Sequence, residues 1–188
     1  MSTATLPKTL TGDYVIDDTH SRLGFVARHA MVTKVRGNFN EFSGSGHLDV
    51  ENPSNSHVSL TIQAKSIDTR NEDRDAHLRS NDFFAMDEYP ELSFSSTDVE
   101  RLDDTTWRVT GDLTIKDVTK SLTIDFDYEG SATDPFGNER IGFEGSTTVN
   151  RKDFGLEWNA PLDSGGVLVS QKVTLEFEIS AIKQGESA

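Results

Sequence analysis

The sequence predicts an all-β protein of antiparallel strands whose apolar faces meet inside a closed barrel or between two stacked sheets. Three observations carry this. Apolar and polar residues alternate strictly over many long segments, turn-forming residues punctuate them, and one stretch near 71–79 breaks the rhythm. A period of two marks a half-buried strand with one wet face. Strands of a parallel sheet would instead be apolar on both faces.

In chain order, residues 1–11 are small and polar and are expected to form a flexible tail. Strands follow near 14–17, 22–29, 35–42 and 45–50, with Ser43-Gly44-Ser45-Gly46 read as a turn between the last two. After Asn52-Pro53-Ser54-Asn55 comes a strand near 57–67, where Val58, Leu60, Ile62 and Ala64 alternate with Ser59, Thr61, Gln63 and Lys65. The run Asp68 to Leu78 has neither alternation nor a β-branched cluster. Asn71 offers an N-cap followed by acids, so 71–79 reads as a short solvated helix. Strands near 91–100 and 106–115 flank the Asp103-Asp104 turn. In the second, Trp107, Val109, Leu113 and Ile115 oppose Arg108, Thr110, Asp112 and Thr114. Near 121–129, Leu122, Ile124, Phe126 and Tyr128 share a face, and Asp134-Pro135-Phe136-Gly137-Asn138 turns the chain into a strand near 140–150. The last strand, near 170–183, places Val173, Leu175, Phe177, Ile179 and Ala181 on one side, and 184–188 form a second tail. Some adjacent segments are expected to be one bent strand. With no linker, repeat or composition shift, 12–183 reads as a single domain.

The chain has 188 residues and no cysteine, and its 32 acids against 18 bases give a formal charge of −14. Absent cysteine excludes a disulfide scaffold, a thiolate metal site and thiol catalysis. The acidic balance argues against a nucleic-acid partner. The N-terminus lacks the apolar run of an export leader, so the cytoplasm is the expected location. No stretch approaches the ~20 consecutive apolar residues of a membrane helix.

Several strands are longer than the common ~5–6 residues. At ~3.3 Å per residue and a tilt of ~40°, an eleven-residue strand covers roughly 28 Å of barrel axis. Such a barrel is filled by its own side chains or holds a ligand. Phe25, Phe94, Trp107, Phe126, Phe143 and Phe177 all fall on the apolar parity of their strands, as a packed core or as the wall of a greasy tunnel.

Residues 19–40 contain no acid but carry Arg22, Arg28, Lys34, Arg36, His20 and His29. These cations either pair with the surplus carboxylates on outer faces or form a landing site for an anionic head group. The five histidines show no metal-ligand spacing, so no metal is expected. Asp17, Asp18, His20 and Ser21 do not make a hydrolytic triad, because strand neighbours face opposite ways and no nucleophile elbow precedes a helix. The glycines of Gly44-Ser45-Gly46 and Gly165-Gly166 read as turn glycines rather than phosphate loops.

Tyr14-Val-Ile-Asp-Asp-Thr-His-Ser21, Leu23-Gly-Phe-Val-Ala-Arg-His29 and Val35-Arg-Gly-Asn-Phe39 together resemble the opening of the YceI-like family. Phe84 to Phe94 resembles its Phe…Tyr-Pro…Phe block, Gly111 to Lys120 its Gly-x-Leu-Thr-x-x-x-Val-Thr-Lys block, and Asn150 to Leu156 its Arg-x-x-Phe-Gly block. The likeness spans about 12–183. It implies a lipocalin-like antiparallel barrel of about eight strands with a short helix near one end. It also implies an elongated apolar cavity for a polyisoprenoid or other long amphiphile, such as an isoprenoid quinone. Many relatives carry a secretory leader that this sequence does not show. At Gln171, where an acid is expected, the chain departs from the pattern.

Residues matching both the blocks and the strand parity, Phe25, His29, Phe39, Phe94, Leu113 and Phe154, are expected to line or close the cavity, with Phe126, Phe143 and Phe177 beside them. The charge map adds Arg22, Arg28 and Arg36 for the head group. The expected function is non-catalytic lipid binding, as carrier, store or stress-related buffer, with transient membrane contact among the expected partners and a homodimer expected from family and shape. The alternatives are an enzyme acting on isoprenoid lipids through His20 or His29, and a stress-related protein-interaction module.

Overall fold

The computed structural model describes residues 6–160, 162 and 168–185. Its strands are β1 (Gly12–Ile16), β2 (Arg22–His29), β3 (Thr33–Phe39), β4 (Phe42–Leu48), β5 (His57–Gln63), β6 (Ile67–Asp68), β7 (Glu91–Arg101), β8 (Thr106–Ile115), β9 (Val118–Thr133), β10 (Glu139–Asn150) and β11 (Lys172–Lys183). The helix α1 (Glu72–Arg79) lies between β6 and β7. Asn71 caps it, its Oδ1 accepting from the Arg74 N–H at 2.9 Å, as the sequence predicts.

All pairings are antiparallel, and the sheet closes on itself. β11 pairs with β10 along one edge and with both β1 and β2 along the other. β1 and β2 are therefore one bent wall strand, broken at 17–21. β3 and β4 form a second, broken at 40–41, and β5 and β6 a third, broken at 64–66. With β7 to β11 this makes an eight-stranded up-and-down barrel rather than stacked sheets.

The three breaks lie side by side and form a corner in the wall. Backbone groups freed there still find partners, as buried peptide groups must. The Asp17 N–H donates to the Ser180 carbonyl at 2.8 Å, and the Asn40 N–H to that of Ser66 at 3.1 Å. Ser21 Oγ stands in for a lost strand partner: it accepts from the Ser180 N–H at 2.9 Å and donates to the Ser180 carbonyl at 3.2 Å. Two bulges add twist for closure. One inserts Thr97 opposite the Gly111–Thr110 step, and the other inserts Glu129 next to Gly130, whose φ of 131° favours glycine.

Three expectations need correction. Ser43 to Gly46 is not a turn but part of β4. Its glycines serve close strand approach: a Cβ on Gly46 would lie 2.5 Å from the His57 carbonyl oxygen, and one on Gly44 2.8 Å from that of Ser59. The strand near 57–67 is interrupted by a 3-10 turn at Ala64–Ser66, which takes the corner. The tail 1–11 is not free over its described part. Leu6 and Leu10 are buried in the core, and Tyr14 Oη donates to the Leu10 carbonyl at 2.7 Å. Residues 1–5 and 186–188, and the Gly165-Gly166 pair, lie outside the described residues.

Arg140 on β10 ties this corner to the neighbouring hairpin. Its Nη1 donates to Asp17 Oδ2 at 2.6 Å and its Nε to Asp134 Oδ2 at 2.8 Å. Hydrogen bonds from Thr19 and Arg140 hold the Asp17 carboxyl well below the usual carboxylate range, and Arg140 draws Asp134 down to about 2. Both carboxylates are ionised in the folded and unfolded chain above pH ~5, so their stabilisation is complete there. As pH falls below ~4 the unfolded chain takes up protons first, and the stabilisation drains away toward about 2. Arg140→Gln is expected to lower the urea midpoint at neutral pH, with the gap to wild type closing as the pH is brought down through this window. A gap that is constant with pH would show that the ion pairs add nothing beyond packing.

Up-and-down connectivity sorts the connections between two ends. One end carries the β2–β3 tip, α1 with its flanks, the β8–β9 turn and the described residues between β10 and β11. The other carries the start of β1, the end of β11 and the connections 49–56, 102–105 and 134–138.

Candidate functional site

Inward-facing residues of all eight wall strands leave a cavity of about 320 Å³ inside the barrel, lined almost wholly by apolar side chains. That is at the low end of the ~300–1,000 Å³ usual for ligand pockets. The lining reaches from Tyr14, Leu48 and Trp107 near the end opposite the helix to Leu78, Phe83 and Phe154 near the helix end. The space is a bore rather than a dimple.

Of the residues picked from the sequence, Phe25, Phe39, Phe94, Leu113, Phe126, Phe143, Phe154 and Phe177 all line this bore. Phe25, Phe39, Phe126, Phe143 and Phe177 point inward yet are only half-buried, because part of each ring faces open space instead of another side chain. Ring pairs Phe25–Phe39 and Phe126–Phe177, 5.8 and 5.9 Å between centroids, fix their tilt. Glycine lets the first ring lie flat on the wall: a Cβ on Gly37 would stand 2.3 Å from Phe25 Cζ.

His29 is not among the lining residues. It shares the parity of Phe25 and Ala27 but stands one step past the end of the bore, exposed at the close of β2. Arg22, Arg28 and Arg36 are likewise outside. They have the parity opposite to Phe25 and Phe39, so strand alternation directs them away from the bore. Arg22 lies 3.4 Å from Glu176 and 3.9 Å from Glu178. A head group inside the barrel does not meet these three guanidinium groups.

The sequence reading missed the closure of the helix end. Phe83 packs on Trp158 at 5.5 Å, and the His77 ring stands edge-on to both, at 5.1 and 4.5 Å. Beneath them Arg151 is buried against the bore with no carboxylate partner among the described residues. Its Nε and Nη groups donate instead to the carbonyls of Ser170, Leu156, Trp158 and Val169. Burial pushes its guanidinium pKa down from the ordinary arginine value. The adjacent Phe83-Phe84 pair in a segment without alternation was the available signal.

Among the described residues, the histidines and hydroxyls outside the bore make local contacts. His20 Nδ1 lies 2.8 Å from Asp17 Oδ2, but Ser21 Oγ is committed to the Ser180 backbone. His47 and His57 stack across β4–β5 at 6.0 Å, with Asp13 2.8 Å from His47 Nδ1. Among the described residues no three acidic or histidine side chains gather as metal ligands. The outer wall over β9 to β11 is acidic: Glu144 faces Asp127 on one side and Glu178 on the other, and burial with these and Glu129 pushes its carboxyl up.

The YceI-like domain profile matches residues 14–181, from the first wall strand to the last. The chain belongs to the YceI-like family. A UPF0312 protein of Pseudomonas paraeruginosa is 38% identical over 182 residues, covering 96% of this chain and 92% of its own. BcnA of Burkholderia cenocepacia superposes with a TM-score of 0.77 at 21% identity, over 88% of this chain and 98% of its own. A polyisoprenoid-binding domain from Saccharophagus degradans gives 0.70 at 17% identity, over 91% of this chain and 98% of its own. At those identities the two structures speak for the fold.

Proposed function

We propose that this YceI-like protein binds the chain of a long isoprenoid or similar amphiphile, an isoprenoid quinone included, inside the barrel without transforming it. The observation that carries this is the continuous apolar bore, walled by half-buried phenylalanines that have room beside them. The polyisoprenoid binding of the Saccharophagus domain, which shares the barrel, supports the same ligand class. The non-catalytic reading is supported by the tethering of Ser21 Oγ to Ser180 and by the exposure of His29 outside the bore.

Energetics favour a carrier or buffer. Burial at ~25 cal/mol per Å² along a long tail sums to tens of kcal/mol, beyond the ceiling of roughly 18–21 kcal/mol for non-covalent binding. A free tail is already hidden in membrane or micelle, so transfer into the bore is nearly balanced and ligand can leave again. Native mass spectrometry of gently purified protein is expected to show added mass in the lipid range, displaced by a long-chain isoprenoid alcohol. Protein that carries no lipid and takes none up would overturn the proposal.

A further inference from the structure

The β2–β3 hairpin ends on Ala30, Met31 and Val32. Met31 and Val32 are 62% and 73% exposed. Side by side at the loop tip they form a small exposed apolar patch. The turn itself is made by a costly choice: Ala30 and Met31 both hold positive φ, 49° and 64°, where Asn-Gly would be at ease. Turn formation does not explain the methionine.

Behind the tip, β2 and β3 carry only basic charge. Arg28 and Lys34 sit directly opposite each other across β2–β3, an arrangement that repels unless an anion joins it. Lys34, Arg36 and His29 also line a groove of about 520 Å³ whose far wall is Thr69 to Asn71 and Arg74. The groove exists because β6 covers only Asn38 and Phe39, leaving 33–37 of β3 open on that side. Arg74 is held in place by its own bonds to Thr69, Nε to Oγ1 at 2.7 Å and Nη2 to the carbonyl at 2.6 Å. Among the described residues no carboxylate lines the groove, although Glu72 and Asp73 follow in the same helix turn. In a chain with 32 acids and 18 bases, Arg28, Lys34, Arg36, Arg70 and Arg74 have no ion pair among the described residues, whereas Arg22, Arg101, Arg108 and Arg140 do.

The opposite end has the reverse character. Its own exposed apolar tip, Phe136 at 89%, is flanked by Asp134 and Glu139, and Asp49, Glu51, Asp103 and Asp104 lie in the other connections there. The helix end also carries acids, among them Glu72, Asp73, Asp82, Asp87, Glu88, Asp153 and Glu157, so attraction to an anionic bilayer is confined to the β2–β3 tip and the groove behind it, while the opposite end is repelled.

We propose that the β2–β3 tip and the basic groove behind it dock this barrel, helix end first, on an anionic phospholipid surface, with Met31 and Val32 entering the interface and Arg28, Lys34, Arg36, Arg70 and Arg74 meeting lipid phosphates. Apolar insertion with cationic flanks is the combination that interfacial anchors use. The docking deepens the proposed lipid-binding function by giving the bore a source of ligand, but its own observations are independent of what the bore holds.

The cysteine-free chain allows single labelled sites. Met31→Cys and Phe136→Cys, each carrying an environment-sensitive fluorophore, are mixed with phosphatidylcholine vesicles with and without phosphatidylglycerol. The label at 31 is expected to report an apolar environment with anionic vesicles, at least ~10-fold more affinely than with neutral ones, and to lose it in high salt. The label at 136 is expected to stay silent. In unlabelled protein, K34Q/R36Q and M31S/V32S are each expected to weaken vesicle co-sedimentation about tenfold or more. A silent label at 31, a responding label at 136, equal binding to neutral vesicles, or variants that sediment like wild type would each overturn the proposal. Bore occupancy is read separately by native mass spectrometry, so an empty bore with a responding label at 31 refutes the lipid-binding function and leaves the docking standing.

Discussion

Arg151→Met is expected to lower the thermal midpoint of the lipid-free protein by about 10 °C. Arg151 is 4% exposed, and its guanidinium donates to four carbonyls, those of Leu156 at 2.6 Å, Ser170 at 2.8 Å, Trp158 at 2.9 Å and Val169 at 3.3 Å. These carbonyls belong to the two stretches that follow β10 and precede β11. Neither stretch lies in a barrel strand, so one side chain supplies much of the hydrogen bonding that a ladder would otherwise give. Bonds to a charged donor are worth ~1.5–3 kcal/mol each, and orphaned buried acceptors cost ~1–3 kcal/mol. Allowing for water reaching some of them, a loss of about 3–4 kcal/mol follows, at ~2–4 °C per kcal/mol for a chain of this size. Arg151→Lys is expected to recover less than half, because a point ammonium cannot span four carbonyls as the planar fork does. Scanning calorimetry decides it: a midpoint within a degree or two of wild type would mean that the segment is held by the Trp158–His77–Phe83 contacts instead. Since the same segment packs over the helix end of the bore, the variant is also expected to release bound lipid faster.

Strand parity made most of the wall readable in advance, because each strand has one wet face and a slip of one residue would expose its whole apolar set. The stretch 106–115 and the helix cap at Asn71 are found where the pattern puts them. That some adjacent segments form one bent strand was legible, but the position of the corner was not, since what breaks β1/β2, β3/β4 and β5/β6 is their alignment across three strands. Gly44 and Gly46 misled for a related reason. Composition cannot tell a glycine needed for a turn from one needed because the β5 backbone lies too close for a Cβ. Leu6 and Leu10 sit in a polar stretch too short to show periodicity, and only tertiary contact reveals that they join the core. The arginines show the reverse error. The positive island was visible, but Arg22, Arg28 and Arg36 share a parity that already excludes them from the surface bearing Phe25 and Phe39. Applying alternation to the charged residues as strictly as to the apolar ones places the island on the outer wall.

Leu175→Trp is expected to empty the bore while leaving the barrel as stable as before or slightly more so. Leu175 lies on β11 between Thr147 of β10 and Phe25 of β2, on the lining, and is only half-buried. A larger ring there enters existing space and need not displace packed neighbours. Filling a void of this kind usually stabilises by ~0.5–2 kcal/mol, whereas overpacking a dense core costs ~1–3 kcal/mol. The contrast is with Leu92, buried on β7, where the same change is expected to destabilise. For the ligand the sign is opposite. Each methylene kept out of the bore forfeits ~0.8 kcal/mol, so denying part of a long tail its place is expected to reduce affinity for a long-chain isoprenoid alcohol at least ~100-fold. A short-chain alcohol that occupies one half of the bore is expected to lose less than ~10-fold, because its contacts lie on one side of the plug. Two measurements on one variant therefore separate a hollow barrel from a filled one: the thermal midpoint without ligand, and competition between short and long alcohols. A fall in the midpoint of several degrees would show that residue 175 already sits in a packed interior. Equal losses for both alcohols would show that the ligand does not extend along the barrel axis.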